Sequence, residues 1–203
     1  MIKYSQSSVT PVTRSDNIKI NLDGWISSRP NLRDRTSYLE VLKIDAPVND
    51  LPSLTLTFTA PIFIRDIIGI MRDHAMWAST SRNLPIDKGW NLHIDSQRFD
   101  EFNQSQFNKL LSDKDAGANQ DDYRKHIPLT YLSTFTVTLS VRSWIKLCMF
   151  LSRMDSICNI ENNSIGMFNE LNTEIRFILQ DELSVSKFEL EDIISVYSQV
   201  NFK

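Results

Sequence analysis

Apolar and polar residues alternate from Leu54 to Phe58, with Leu54, Leu56 and Phe58 on one face and Thr55, Thr57 and Thr59 on the other. That period of two is the pattern of a half-buried strand. It recurs downstream, where Phe135, Val137, Leu139 and Val141 share one face between Thr and Ser residues. Helical spacing takes over elsewhere. Pro61 opens a segment whose apolar set is Ile64, Ile67, Ile68, Met71 and Ala75. Ser140 stands where it can cap a helix running from about Val141 to Met154. Further helices are predicted from about Ser164 to Gln180 and from Lys187 to Val200. Upstream, Tyr38, Leu39, Val41, Leu42 and Ile44 predict a helix that begins near Arg33 and stops near Asp45-Ala46-Pro47.

Two stretches lack such a pattern. Residues 1–30 are polar and rich in Ser, Asn and Asp, and read as irregular structure or short strands. Between Asn83 and Ala118 the periodicity breaks into a long excursion, with a helix carrying Phe99, Phe102 and Phe107 inside it. Connections of that length usually carry function or move. With no internal repeat or low-complexity tract, the chain reads as one α+β domain, a small sheet packed with several helices.

Composition narrows the function classes. The 203 residues carry 22 Lys+Arg against 25 Asp+Glu, a formal charge of −3. That balance argues against a nucleic-acid arm or a cationic membrane surface, while leaving room for a local basic pocket. Only 5 glycines are present, which argues against Gly-rich phosphate loops. No apolar run approaches the ~20 residues of a membrane span. The first residues, Met1-Ile2-Lys3-Tyr4-Ser5, carry no signal-peptide run, and Cys148 and Cys158 read as free core thiols, so a reducing cytoplasm is the expected compartment. Little Gly beside abundant Ile, Asn and Ser fits an AT-rich coding genome such as a virus's, which would make that the host cytoplasm.

Metal chemistry finds little support: His74, His93 and His126 are far apart and lack carboxylate or thiolate neighbours at ligand spacing. Arginine is more informative. Arg72 and Arg82 bracket Thr80 and Ser81, while Arg124, Arg142 and Arg153 follow. A guanidinium offers a planar fork of donors suited to phosphate and oxygen-rich heterocycles. Taken singly, such residues are ordinarily solvated surface charges.

The residues around them shift that weighing. Ala60-Pro61-Ile62-Phe63-Ile64, then Met71-Arg72 and Thr80-Ser81-Arg82, resemble the Pro-Ile-Phe-Val step and Arg-His-Arg-x-x-Ser motif of flavin-dependent thymidylate synthases. A second block, Arg124, Pro128-Leu129, Ser133, Phe135, Thr138 and Val141-Arg142-Ser143, is similar to that family's Thr-x-Phe and Arg-Ser stretch. Leu151-Ser152-Arg153-Met154-Asp155-Ser156 resembles its Leu-x-Leu-Arg-x-Asp segment, and the likeness runs in order over about residues 36–180.

The resemblance implies a homotetramer with sites shared between subunits. It implies transfer of a one-carbon unit from methylenetetrahydrofolate to C5 of dUMP, with reduction by FAD that NADPH regenerates. Arg153 is assigned by it to the base and to catalysis, Arg82 and Arg124 to the phosphate, and Thr80 and Ser81 to phosphate oxygens. Arg72, Arg142, Ser140 and Lys146 are assigned to the flavin. Departures concentrate on the flavin side: Ile70 and Met71 replace the first Arg and the His of Arg-His-Arg, Ala75 replaces its Ser, and the upstream His is missing around Val48-Asn49-Asp50-Leu51. The nucleotide set survives better. Two alternatives stay open: a pyrimidine-nucleotide hydroxymethylase in which water captures the one-carbon intermediate, and a non-catalytic paralogue that binds a nucleotide or a protein. Trp77 and Trp90 are candidate interface residues for the latter, although aromatic residues are more often core.

Overall fold

A computed structural model describes residues 1–12, 52–69, 75–78, 86, 88–160 and 166–199. The helix expected near residues 33–44 lies outside them, as do Arg72, His74, Thr80, Ser81 and Arg82.

The two alternating segments form the longest strands. β3 (Ser53–Pro61) and β6 (Leu132–Ser140) pair antiparallel over their full length, from Ser53↔Ser140 to Pro61↔Leu132. Short strands flank them: β2 (Ser8–Pro11) pairs with β3 and β4 (Ala75–Ala78) with β6, giving the order β2-β3-β6-β4. The opening residues are therefore strands rather than irregular chain. Leu54, Leu56, Phe58, Phe135, Val137 and Leu139 are at most 1% exposed. On the opposite face the threonines meet across the strands, Thr55 with Thr138 at 2.8 Å and Thr57 with Thr136 at 3.0 Å. The alternation thus separates an oily face from a hydroxyl ladder.

Both long strands turn directly into helices. Pro61 leads into α1 (Ile62–Ile68), and Ser140 into α4 (Val141–Ile160), where its Oγ accepts the Ser143 N–H at 3.2 Å as the expected cap. α5 (Gly166–Leu183) and α6 (Lys187–Gln199) pack with α4 over the apolar face of the sheet. Trp144 ties the two layers. It is fully buried, stacks on Phe58 at 5.9 Å and donates its indole N–H to the Leu54 carbonyl at 3.0 Å.

Two expectations need correction. The helix after Pro61 does not reach Ala75: it ends at Gly69, whose N–H bonds the Arg65 carbonyl at 2.9 Å, and Ala75 opens β4 instead. An Ile-rich helix has weak intrinsic propensity, so pairing with β6 decides where Ala75 goes.

The region 83–118 is likewise no irregular excursion. It contains β5 (Trp90–His93), a 3₁₀ turn (Ile94–Phe99) and α2 (Asp100–Asp115), followed by α3 (Gln120–Arg124). β5 pairs parallel with β1 (Ile2–Ser5). Ile86, Trp90, Leu92, Phe107, Leu110 and Tyr131 form a second small core, with Trp90 edge-on to Phe107 at 5.1 Å. Trp90 is 1% exposed, so it is core and no interface residue. Gly89 permits the parallel pairing: its φ is +152°, and a Cβ there would sit 2.7 Å from the Met1 carbonyl oxygen that accepts the Trp90 N–H.

Replacing Trp144 by Phe keeps the stacked ring and leaves the Leu54 carbonyl without its donor. Urea unfolding should show a loss of about 1–3 kcal/mol.

Candidate functional site

The exposed rim of the three-helix layer carries the most chemistry. One cavity of about 550 Å³ is bordered by Ser152, Arg153 and Ser156 of α4, Arg176 of α5, and Glu191 and Ser195 of α6. A second of about 420 Å³ adjoins it through Ser152, Arg176 and Glu191 and extends to Asn172, Gln180 and Lys187. Together they make a groove in which hydroxyls, amides, cations and the Glu191 carboxylate stand among the apolar side chains of Met149, Ile157, Phe177 and Ile194.

Helical spacing explains the grouping. Residues three or four apart on one helix share a face, so Ser152, Arg153 and Ser156 line up on α4 and Asn172, Thr173, Arg176 and Gln180 on α5. Arg176 is the fixed element. Its Nε donates to Asn172 Oδ1 at 3.0 Å, its Nη2 donates to Ser152 Oγ at 3.0 Å, and its Nη1 forms an ion pair with Glu191. Asn172 Nδ2 also donates to Ser152 Oγ at 2.9 Å, and that hydroxyl donates onward to the Cys148 carbonyl at 3.0 Å. Arg176 is thereby locked into the wall, and Arg153, which is exposed, is the guanidinium presented to the groove mouth.

Below the groove lies the Cys148 thiol, completely buried, with its pKa pushed up to about 12 by desolvation and only partly offset by the charge of Arg176. A thiol so raised is neither a nucleophile nor a ligand at neutral pH, in accord with the core reading.

The α6 end of the groove is braced by a capping box. Ser186 N–H and Oγ–H both donate to Glu189 Oε2 at 2.8 Å, and Glu189 N–H donates back to Ser186 Oγ at 3.3 Å. Those bonds hold the Glu189 carboxyl below its usual range.

The other residues singled out by the sequence fall elsewhere. Arg124 is 8% exposed at the end of α3 and does not border the groove. Arg142 is 2% exposed in the first turn of α4, Ser140 is engaged in its cap, and Lys146 is half-buried farther along the helix. Both described histidines are packed: His93 against Glu170 at 3.0 Å and His126 against Asp113 at 2.8 Å, which holds the Asp113 carboxyl low. Among the described residues, no cluster of His, Cys, Asp and Glu is arranged for a metal ion. No described helix is long and apolar enough to cross a membrane.

Arg176 was missed by the sequence reading. Its signal was available: Asn172 and Arg176 are four apart on a strongly amphipathic helix, at the edge between its polar and apolar faces.

No protein-family model matches the sequence, and no curated protein matches it. Solved structures do. The chain is similar to a UMP/dUMP methylase, PolB from Streptomyces cacaoi, bound with 5-Br UMP, at 12% identity and a TM-score of 0.65 over 95% of this chain and 97% of that one. The chain has the fold of that methylase. The same Streptomyces protein bound with 5-Br dUMP matches at 11% identity and a TM-score of 0.53, over 73% of this chain and 79% of that one.

The groove wall yields a direct prediction. Arg176→Met would leave the Asn172 amide oxygen without its donor and remove one bond each to Ser152 and Glu191, and thermal unfolding should report about 1–3 kcal/mol of lost stability with the fold retained.

Proposed function

We propose that the chain is a pyrimidine-nucleotide-modifying enzyme that attaches a one-carbon unit to C5 of UMP or dUMP, with the α4–α5–α6 groove as part of its nucleotide site. One observation carries the reading. The arginine that the sequence likeness assigns to the base, Arg153, stands exposed at a groove walled by a second, immobilised arginine, in a chain with a nucleotide methylase's fold.

C5 of uracil becomes nucleophilic when negative charge gathers on O4 and N3. A preorganised cation beside those atoms stabilises that charge, an effect worth several kcal/mol in typical sites. Arg153 takes this role, with Ser156 and Ser195 within the same groove as polar contacts. Arg176, spent on its own partners with its charge balanced by Glu191, keeps the wall in shape. Arg82 and Arg124, with Thr80 and Ser81, are kept for the phosphate, and since Arg124 does not border this groove, a homotetramer with shared sites would bring it from another copy. The one-carbon donor in this reading is methylenetetrahydrofolate.

The flavin is a separate matter. A dinucleotide needs donors on an open surface, yet Ser140 and Arg142 are buried and the Ser140 hydroxyl is committed to the α4 cap. These residues do not fit a flavin pyrophosphate, so no step is routed through FAD or NADPH. That observation favours the hydroxymethylase form of the reading: once methylene is bonded to C5, addition of water gives the hydroxymethyl group and releases tetrahydrofolate with no change in oxidation state. A methyl product would require a reductant.

Tritium release from C5-labelled dUMP or UMP, with the product's mass, tests the proposal. Wild-type protein should release tritium in a folate-dependent manner, and Arg153→Ala should lose nucleotide affinity by about 1–3 kcal/mol and release none. Undiminished binding and turnover in Arg153→Ala would remove the assignment.

A further inference from the structure

We propose that a second cavity, of about 370 Å³ beside the 3₁₀ turn, binds a flat, uncharged nitrogen heteroaromatic ring whose N–H edge donates to Asp95. It shares no bordering residue with the Arg153 groove; for a pterin ligand the inference rests on the folate-dependent reading above, and for a guanine ligand it does not. Its volume is that of a small-molecule site.

The walls are aromatic. Phe99 and Phe102 are 55% and 62% exposed, and both border the cavity, with the buried Met167 reaching it from α5. Exposed phenyl rings around a concave space supply faces on which a flat ring can stack.

Its polar groups are short of partners. Ser96 is 4% exposed, and its hydroxyl has no hydrogen-bond partner among the described residues. Asp95 Oδ2 is buried in the same condition, 3.4 Å from His93 Nδ1. That nitrogen lies 3.3 Å from the Asp95 N–H, and His93 Nε2 faces the Glu170 carboxylate at 3.0 Å. The Asp95 side chain is 26% exposed and borders the cavity. The carboxylate also lies at the N-terminal end of α5, where a side chain at Gly166 would come within 3.9 Å of it.

The ligand must thus stack, donate to a carboxylate and meet a hydroxyl able to donate or accept. Arg98 lies over the Phe99 ring at 5.0 Å and also borders the cavity, so a cationic ligand would meet like charge while a neutral ring would not. A 2-amino-4-oxopyrimidine ring has the matching edge, with adjacent N–H and NH₂ donors beside a carbonyl. Pterins and guanine nucleosides both carry it.

Fluorescence titration with 6-methylpterin and calorimetry with guanosine test the site on the full chain, with 6-methyllumazine, which lacks the amino group, as control. One amino-bearing ring should bind at least about tenfold more tightly than lumazine. Which of the two binds better separates a pterin source from a guanine one. Asp95→Asn should erase the preference over lumazine, and Phe102→Ala, at an exposed position, should weaken binding about tenfold with an unchanged circular dichroism spectrum. Absence of binding by either ring, equal binding of lumazine, or unaltered affinity in Phe102→Ala would overturn the proposal, including when Asp95→Asn fails to fold.

Discussion

The antiparallel pairing of β3 with β6 is the constraint on which the other elements depend. Its register, Ser53↔Ser140 through Pro61↔Leu132, is held on one face by buried aliphatic and aromatic side chains and on the other by threonine pairs. A slip of one residue would exchange the two faces, placing threonines in the core and Phe58 in water. Because β6 passes into α4 without a loop, the same register sets the rotation of that helix about its axis. The strand pairing thereby fixes which side of α4 meets the core, through Trp144 and Cys148, and which side carries Arg153.

The groove above α4 shows a division of labour between two arginines. Arg176 is bonded to Asn172, Ser152 and Glu191 and acts as a fixed brace across the three helices. Arg153 is exposed at the mouth. A site that must accept a charged nucleotide and then stabilise charge on its base needs both a rigid wall and a cation at the surface the ligand reaches. In the proposed reading the helices supply the former and the exposed guanidinium the latter.

The sheet and the C-terminal helices were legible because their patterns are strong: strict alternation in β3 and β6, and amphipathic spacing over α4, α5 and α6. Of the region after Asn83, a helix carrying Phe102 and Phe107 was expected and is α2, while its bounds and β5 were not. α2 buries only Asn103, Phe107 and Leu110, so its inward stripe is thin and begins with an amide. β5 is four residues long and buries His93 beside Leu92, breaking the alternation, and it is a strand because β1 supplies its partner from far away in sequence. Non-local pairing of this sort leaves no local signature. At the site, Arg153 could be singled out from its neighbours in sequence. Arg176 becomes significant only through Ser152 and Glu191, which the helix packing brings to it.

A crystal structure with UMP or dUMP soaked to saturation would test the central claim most directly. The account predicts pyrimidine density in the α4–α5–α6 groove, with the Arg153 guanidinium against O4 or N3 of the base and Arg176 still bonded to Asn172 and Ser152. Nucleotide bound elsewhere with Arg153 pointing into solvent, or a groove left empty at saturating nucleotide, would contradict it.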